Sequence, residues 1–215
     1  MYHNVAPEYQ DSVHEALKIC DLAEKELPLC CYVSRRLPGD FNMACSTLYD
    51  GFYAGMRSDA EVWDDITLSQ PVGLTPRQAT EIFNACVEKR GTTKQKEIGL
   101  DARVVKAEYL GMEVTGVILP SQEKAEEKDR EDQEDSEEGG YNPTGSKALG
   151  KLLVKVWVAE GQTRPDTDLD EFEIWLDTDA LQFCFVGMHI EAKVHRLSSG
   201  IIWIDNVTVC NPSAA

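Results

Sequence analysis

The twenty residues "SQEKAEEKDREDQEDSEEGG" at 121–140 contain one alanine and no other apolar side chain. Such a segment has nothing to bury, so it belongs to no core and reads as a flexible, solvated loop, or as a solvent-exposed polar helix held by alternating charges. The sequence on its two sides must fold without it. The two sides also differ in rhythm: up to Gly99 the apolar residues recur at helical spacing, and beyond it they come in short β-branched runs.

Charge follows the same division. Residues 121–140 carry ten acids against three bases, and residues 159–179 carry eight against one. Together they supply −14 of a formal net charge of −17, which leaves the remaining sequence nearly balanced. Binding nucleic acid directly needs clustered Lys and Arg against phosphate, and this chain has no such cluster. An anionic membrane is disfavoured on the same ground. No run approaches the roughly 18 apolar residues of a membrane span, and "MYHNVAPEYQDSVHEAL" lacks the basic leader and apolar core of a secretory signal. The seven cysteines (20, 30, 31, 45, 86, 184 and 210) are odd in number and irregularly spaced. They read as reduced thiols of a cytoplasmic protein, with no zinc-type spacing.

From Pro7 to Leu27 the apolar residues Tyr9, Val13, Ala16, Leu17, Cys20, Ala23 and Leu27 mark one face of a helix. Ser12 and Glu15 have capping-box spacing, and Pro28 is expected to end the helix. Asp40 is expected to cap a second helix running to Met56, with Gly51 and Gly55 inside it allowing close helix packing, and "DAEVWDDI" a short third. Thr75-Pro76-Arg77-Gln78 combines an N-cap threonine, proline at the first helical position and glutamine placed to close the box. The helix it opens turns Ala79, Ile82, Phe83 and Cys86 inward and ends near Gly91. Beyond Gly99, "ARVVKAEYL" and "MEVTGVIL" read as a hairpin turning at Gly111, and strands are expected at 151–158, 172–176, 181–186, 189–197 and 201–209.

The whole is therefore α+β: a helical N-terminal part packed with an antiparallel, β-sandwich-like C-terminal part, with a long acidic loop between strands. The expected divisions are a helical part at 1–98, a β-hairpin joining the sheet at 99–120, the acidic flexible loop at 121–145, the antiparallel β part at 146–210 and a tail at 211–215.

"GSKALGKLLV" at 145–154 looks like a phosphate loop, but Leu152 stands where Ser or Thr must bind magnesium, and the run from Lys151 to Val158 alternates like a strand. It reads as the boundary where the acidic segment ends. "DTDLDE" sets Asp166, Asp168 and Asp170 at alternate positions. An EF-hand would need Gly at the sixth position, where Glu171 stands, and flanking helices; a looser calcium site in a β loop stays open, beside a solvated acidic turn. His189 and His195 share a strand face but have no nucleophile or metal partner in sequence, and Ser198 and Ser199 lack a nucleophile elbow. No catalytic residue is named.

"VHRLSSGIIWIDNVTV" resembles the closing strands of galactose-binding-like jelly rolls, the fold of many carbohydrate-binding modules, through Gly200, Ile202, Trp203, Ile204, Asp205, Asn206 and Val207. The resemblance covers 146–210 and implies glycan binding, with Trp157, Trp175 and Trp203 as the stacking residues, or as core aromatics of a sandwich.

Three functional readings are open. The first is a non-catalytic binding or structural module acting through protein or glycan contacts, including a component of a larger, virion-like assembly. The second is an acidic inhibitor or nucleic-acid mimic that neutralises a basic enzyme, using Glu126, Glu127, Asp129, Glu131 and Asp132. The third is an enzyme whose site is assembled from distant residues.

Overall fold

A computed structural model describes residues 6, 9–56, 73–120, 148–159 and 161–213. The acidic run, with Glu126, Glu127, Asp129, Glu131 and Asp132, and "DAEVWDDI" lie outside the described residues.

Helix α1 spans Gln10–Ser34 and passes straight through Pro28. Proline in a helix interior costs roughly 3 kcal/mol, but the turns after it bury Cys30 and Val33, and Leu37 follows them into the same core. Tertiary burial outweighs the local stop signal. Ser12 sits inside the first turn and caps nothing, because the N-cap is Tyr9. Helix α2, Asp40–Leu48, is shorter than its expected extent, and Gly51 and Gly55 both lie beyond its end. Helix α3, Pro76–Arg90, matches the expectation closely. Thr75 and Gln78 form the reciprocal capping box, and Ala79, Ile82, Phe83, Cys86 and Val87 are buried. A second capping box, Thr92 with Gln95, opens the short helix α4, Thr93–Ile98.

After a 3-10 turn at Gly99–Asp101 come strands β1 (Val104–Ile118), β2 (Leu149–Trp157) and β3 (Glu171–Asp177), helix α5 (Thr178–Leu181), and strands β4 (His189–Leu197) and β5 (Ile202–Asn211). All pairings are antiparallel, in the order β3-β2-β1-β4-β5. The α+β expectation holds. The expected hairpin at 99–120 is instead one continuous fifteen-residue strand at the sheet's centre. Gly111 does not turn; a Cβ there would lie 2.8 Å from the carbonyl oxygen of Trp157, its partner across the ladder, so the glycine permits close approach. The expected strand at 181–186 is the end of α5 and two turns, with Leu181, Phe183, Cys184 and Phe185 packing on the core and Val186 exposed.

The jelly-roll resemblance does not survive the topology. A jelly roll lays about eight strands in two sheets, whereas the described residues build one five-stranded sheet. What "GIIWIDNV" recorded was the second strand of a terminal hairpin.

That sheet curls until its two edges, β3 and β5, lie in contact. One face gathers Leu110, Met112, Val114, Leu152, Val154, Ile174, Leu176, Ile190, Ala192, Val194 and Ile204 from all five strands into a single core. Cys30 and Val33 of α1 and Leu37 just beyond it, with Ala180 and Leu181 of α5, join the same core. The opposite face sets Trp175 and Trp203 against Phe41, Ala44 and Cys45 of α2 and the buried side of α3.

Candidate functional site

Helix α2 lies along the seam between β3 and β5 and fastens it with three polar groups. At its start the Asp40 N–H donates to Asp177 Oδ2 at the end of β3 (2.6 Å). Within its first turn, fully buried Asn42 donates through Nδ2 to Pro38 O (2.9 Å) and to Trp175 O on β3 (2.8 Å). Its Oδ1 accepts from the Ile204 N–H on β5 (3.1 Å). The amide thereby stands between two edge strands as a further backbone unit would. Near the C-terminus of α2, Ser46 Oγ donates to Asp205 Oδ2 on β5 (2.8 Å).

Asp205 is the hub of this arrangement. Its Oδ2 also accepts from the Phe52 N–H (2.7 Å), and its Oδ1 meets His195 Nε2 (2.9 Å). Burial pushes its carboxyl up, but the bonds from His195, Phe52 and Ser46 outweigh burial and hold it below the ordinary carboxylate range. Ser46, His195 and Asp205 are the residue types of a hydrolytic triad, but they are wired differently. In a triad the serine bonds to the histidine, which takes its proton. Here Ser46 and His195 bond to separate oxygens of one aspartate, and Ser46 Oγ accepts from the Tyr53 N–H (3.0 Å). All three are buried, and the His195 ring lies flat on Trp203 (3.8 Å between centroids, 3° between planes). This geometry holds a fold together and gives no activated nucleophile.

The sequence-expected residues are dispersed by the fold. Trp203 is fully buried, and Trp175 is buried against Phe41 (5.2 Å), so both are core aromatics. Trp157 is half-buried, stacks on His189 (4.1 Å) and borders a cleft of about 310 Å³ with Tyr109, Pro165, Glu191 and Thr208. His189 and His195 do share a strand, but each stacks on a different tryptophan. Burial pushes the His189 imidazole below its usual range; Glu113 pulls it back up, and Lys155 adds to the fall.

Asp166, Asp168 and Asp170 belong to the 161–170 loop, and the latter two are engaged by cations. Asp168 bonds Arg196 (2.6 Å) and Lys106 (3.0 Å), which draw its carboxyl down to about 2, and Asp170 bonds Arg164 (2.6 Å). The Asp168 pairs tie the loop to β1 and β4. Among the described residues no group of three or more His, Cys, Asp or Glu is arranged to hold a metal ion, and no helix is long and apolar enough to cross a membrane.

Asn42 and Ser46 were not among the sequence candidates. Their partners across the seam are separated from them by 133 to 162 residues in the chain, and no local spacing signals such a pair. Asp205 was visible only within the "IDN" string.

Among comparisons with known proteins, one family model, described as "Argonaute siRNA chaperone (ARC) complex subunit Arb1", matches residues 1–215. The chain belongs to the Arb1 family. A relative named Argonaute-binding protein 1, from Schizosaccharomyces pombe, is 24% identical over 229 aligned residues, covering 99% of this chain and 51% of that protein. The chain thus spans about half the length of this Arb1-family relative. No solved structure matches. The Arb1 assignment replaces the carbohydrate-binding-module resemblance, which rested on a few residues of one hairpin, and neither the match nor the relative points to a glycan or a virion.

Proposed function

We propose that this chain is a non-catalytic interaction module of an Argonaute-containing complex and binds Argonaute by protein–protein contact. The observation that carries the reading is the family match over all 215 residues to a complex subunit. The name of the S. pombe relative agrees with it. The wiring of Ser46, His195 and Asp205 supports a role without chemistry, because the residues best suited to catalysis are spent on closing the seam. A net charge of −17 favours contact with protein over contact with the RNA an Argonaute carries. Mixing the purified chain with purified Argonaute from the same organism and running size-exclusion chromatography tests it. Stoichiometric co-elution is expected; separate elution at micromolar concentrations of both would refute the proposal.

A further inference from the structure

Residues 10–25 of α1, a length of about 24 Å at 1.5 Å per residue, include no buried side chain. Burial begins only at Glu26, Cys30 and Val33. Glu26 anchors the helix at that point, accepting from the Ser213 N–H (2.7 Å) and Ser213 Oγ (2.9 Å). Apart from half-buried Val13, Leu17 and Ala23, the first four turns are exposed and form an arm. Their apolar residues are spaced for a partner: Tyr9, Val13, Ala16, Cys20, Ala23 and Leu27 succeed one another at intervals of four and three, a heptad seam. Tyr9 is 61% exposed, Leu27 is 53% exposed, and Ile19, beside the seam, is 53% exposed.

We infer that this seam is the docking site for an amphipathic helix of a partner protein, with large apolar residues at its core positions and Lys or Arg flanking them. This rests on the reading of the chain as an interaction module, and it names the surface and the chemistry of what binds there. Two features of the arm select that occupant over the others. The seam alternates Val13, Cys20 and Leu27 with Ala16 and Ala23, so holes dominate its middle and a partner's leucine- or phenylalanine-sized knobs fill them. A second copy would set small residues against small residues. Charge makes the same choice: residues 10–26 carry five acids against two bases. A second arm repeats that sign, and so do the stretches 57–72 (four acids, one base) and 121–140 of this chain, whereas a basic helix complements it.

Cys20, exposed on the seam, provides a direct readout. Two labelled helical peptides serve as probes, each with Leu at the core positions, one with Lys and the other with Glu at the flanking positions. The Lys peptide is expected to bind the full chain in a salt-sensitive way, to slow Cys20 alkylation, and to lose at least about tenfold in affinity against the Ala16→Glu/Ala23→Glu double variant, since each substitution buries an unpaired carboxylate. Ala16 is exposed and Ala23 only half-buried, so the variant should keep the wild-type circular dichroism spectrum. The inference is overturned if the Lys peptide fails to bind, if the Glu peptide binds as well, or if the variant binds like wild type. It is also overturned if Cys20 is already shielded in the free chain, or if sedimentation shows a dimer that the two substitutions dissolve. Capture of purified Argonaute separates the two proposals. Capture undiminished in the variant overturns the arm as the Argonaute contact and leaves the module's function standing. No capture by wild type removes that function, and the peptide and Cys20 measurements then decide the arm alone.

Discussion

Replacing Asn42 by leucine tests the claim that one amide joins the two edges of the sheet. Leucine keeps the branched heavy-atom skeleton of asparagine, so the loss is mainly polar, with some overpacking from its bulkier methyl groups. Three backbone groups lose their partner: Trp175 O, Ile204 N–H and Pro38 O, at present 2.8, 3.1 and 2.9 Å away. A buried polar group left unpaired costs about 1–3 kcal/mol. With all three in one closed seam around a fully buried side chain, the expected loss is about 3 kcal/mol or more. A domain of this kind holds only about 5–15 kcal/mol in total, so the variant should remain folded but markedly weaker. With a urea slope of about 1–3 kcal/mol/M, the unfolding midpoint should fall by roughly 1–3 M. Hydrogen exchange should localise the effect, with Ile204 losing protection well before the central residues of β1. Asn42→Asp should be at least as damaging, because it keeps one acceptor but deletes both donated bonds and buries a charge. If Asn42→Leu unfolds within about 0.5 kcal/mol of wild type, or Ile204 stays protected, the amide is a passenger and the packing of α2 alone closes the sheet.

Gly51→Ala would place a methyl group 2.5 Å from Asp205 Oδ2 and 2.8 Å from the Trp203 ring, and against Ser46 Oγ. We expect a loss of about 1–3 kcal/mol from overpacking, measured by thermal or urea unfolding. Gly55→Ser should cost less, about 1 kcal/mol, because a Cβ there meets nothing and only the backbone strain of φ +76° opposes it. Stability should also depend on pH through Asp205. Its folded pKa is below the ordinary carboxylate value, so its contribution is complete above about pH 4 and is lost as pH falls through the lower folded value. Urea midpoints measured from about pH 6 down to about pH 3 should fall, and the fall should be shallower in Asp205→Asn; equal slopes would mean that other carboxylates govern acid unfolding.

What could be read in the sequence was local. The Thr75–Gln78 box lies within four residues, and the alternation of 189–197 sits in one strand, so both appear in the structure nearly as expected. Where a local signal competed with burial, burial won. Pro28 did not end α1, because the turns after it enter the core, and Gly111 did not turn β1, because a close ladder needs a residue without a side chain there. At 181–186 the aromatic composition suggested a strand, but Leu181, Phe183, Cys184 and Phe185 pack from turns against the core of the curled sheet. The seam itself was invisible, since each of its bonds joins residues more than 130 positions apart. Family membership was equally out of reach: the one resemblance rested on a β-branched and aromatic hairpin, a pattern that any terminal pair of strands favours.

Curling the sheet also decides how this molecule can be approached. An open sheet offers two free rims, and many recognition domains capture extended peptides by adding a strand to one of them. Here the rims face each other, Asn42 already occupies the backbone positions at Trp175 and Ile204, and the cleft of about 220 Å³ beside Trp175 has room for a side chain but not for a strand. Strand addition along the seam is closed among the described residues, which leaves the helices, loops and sheet faces as the surfaces open to contact.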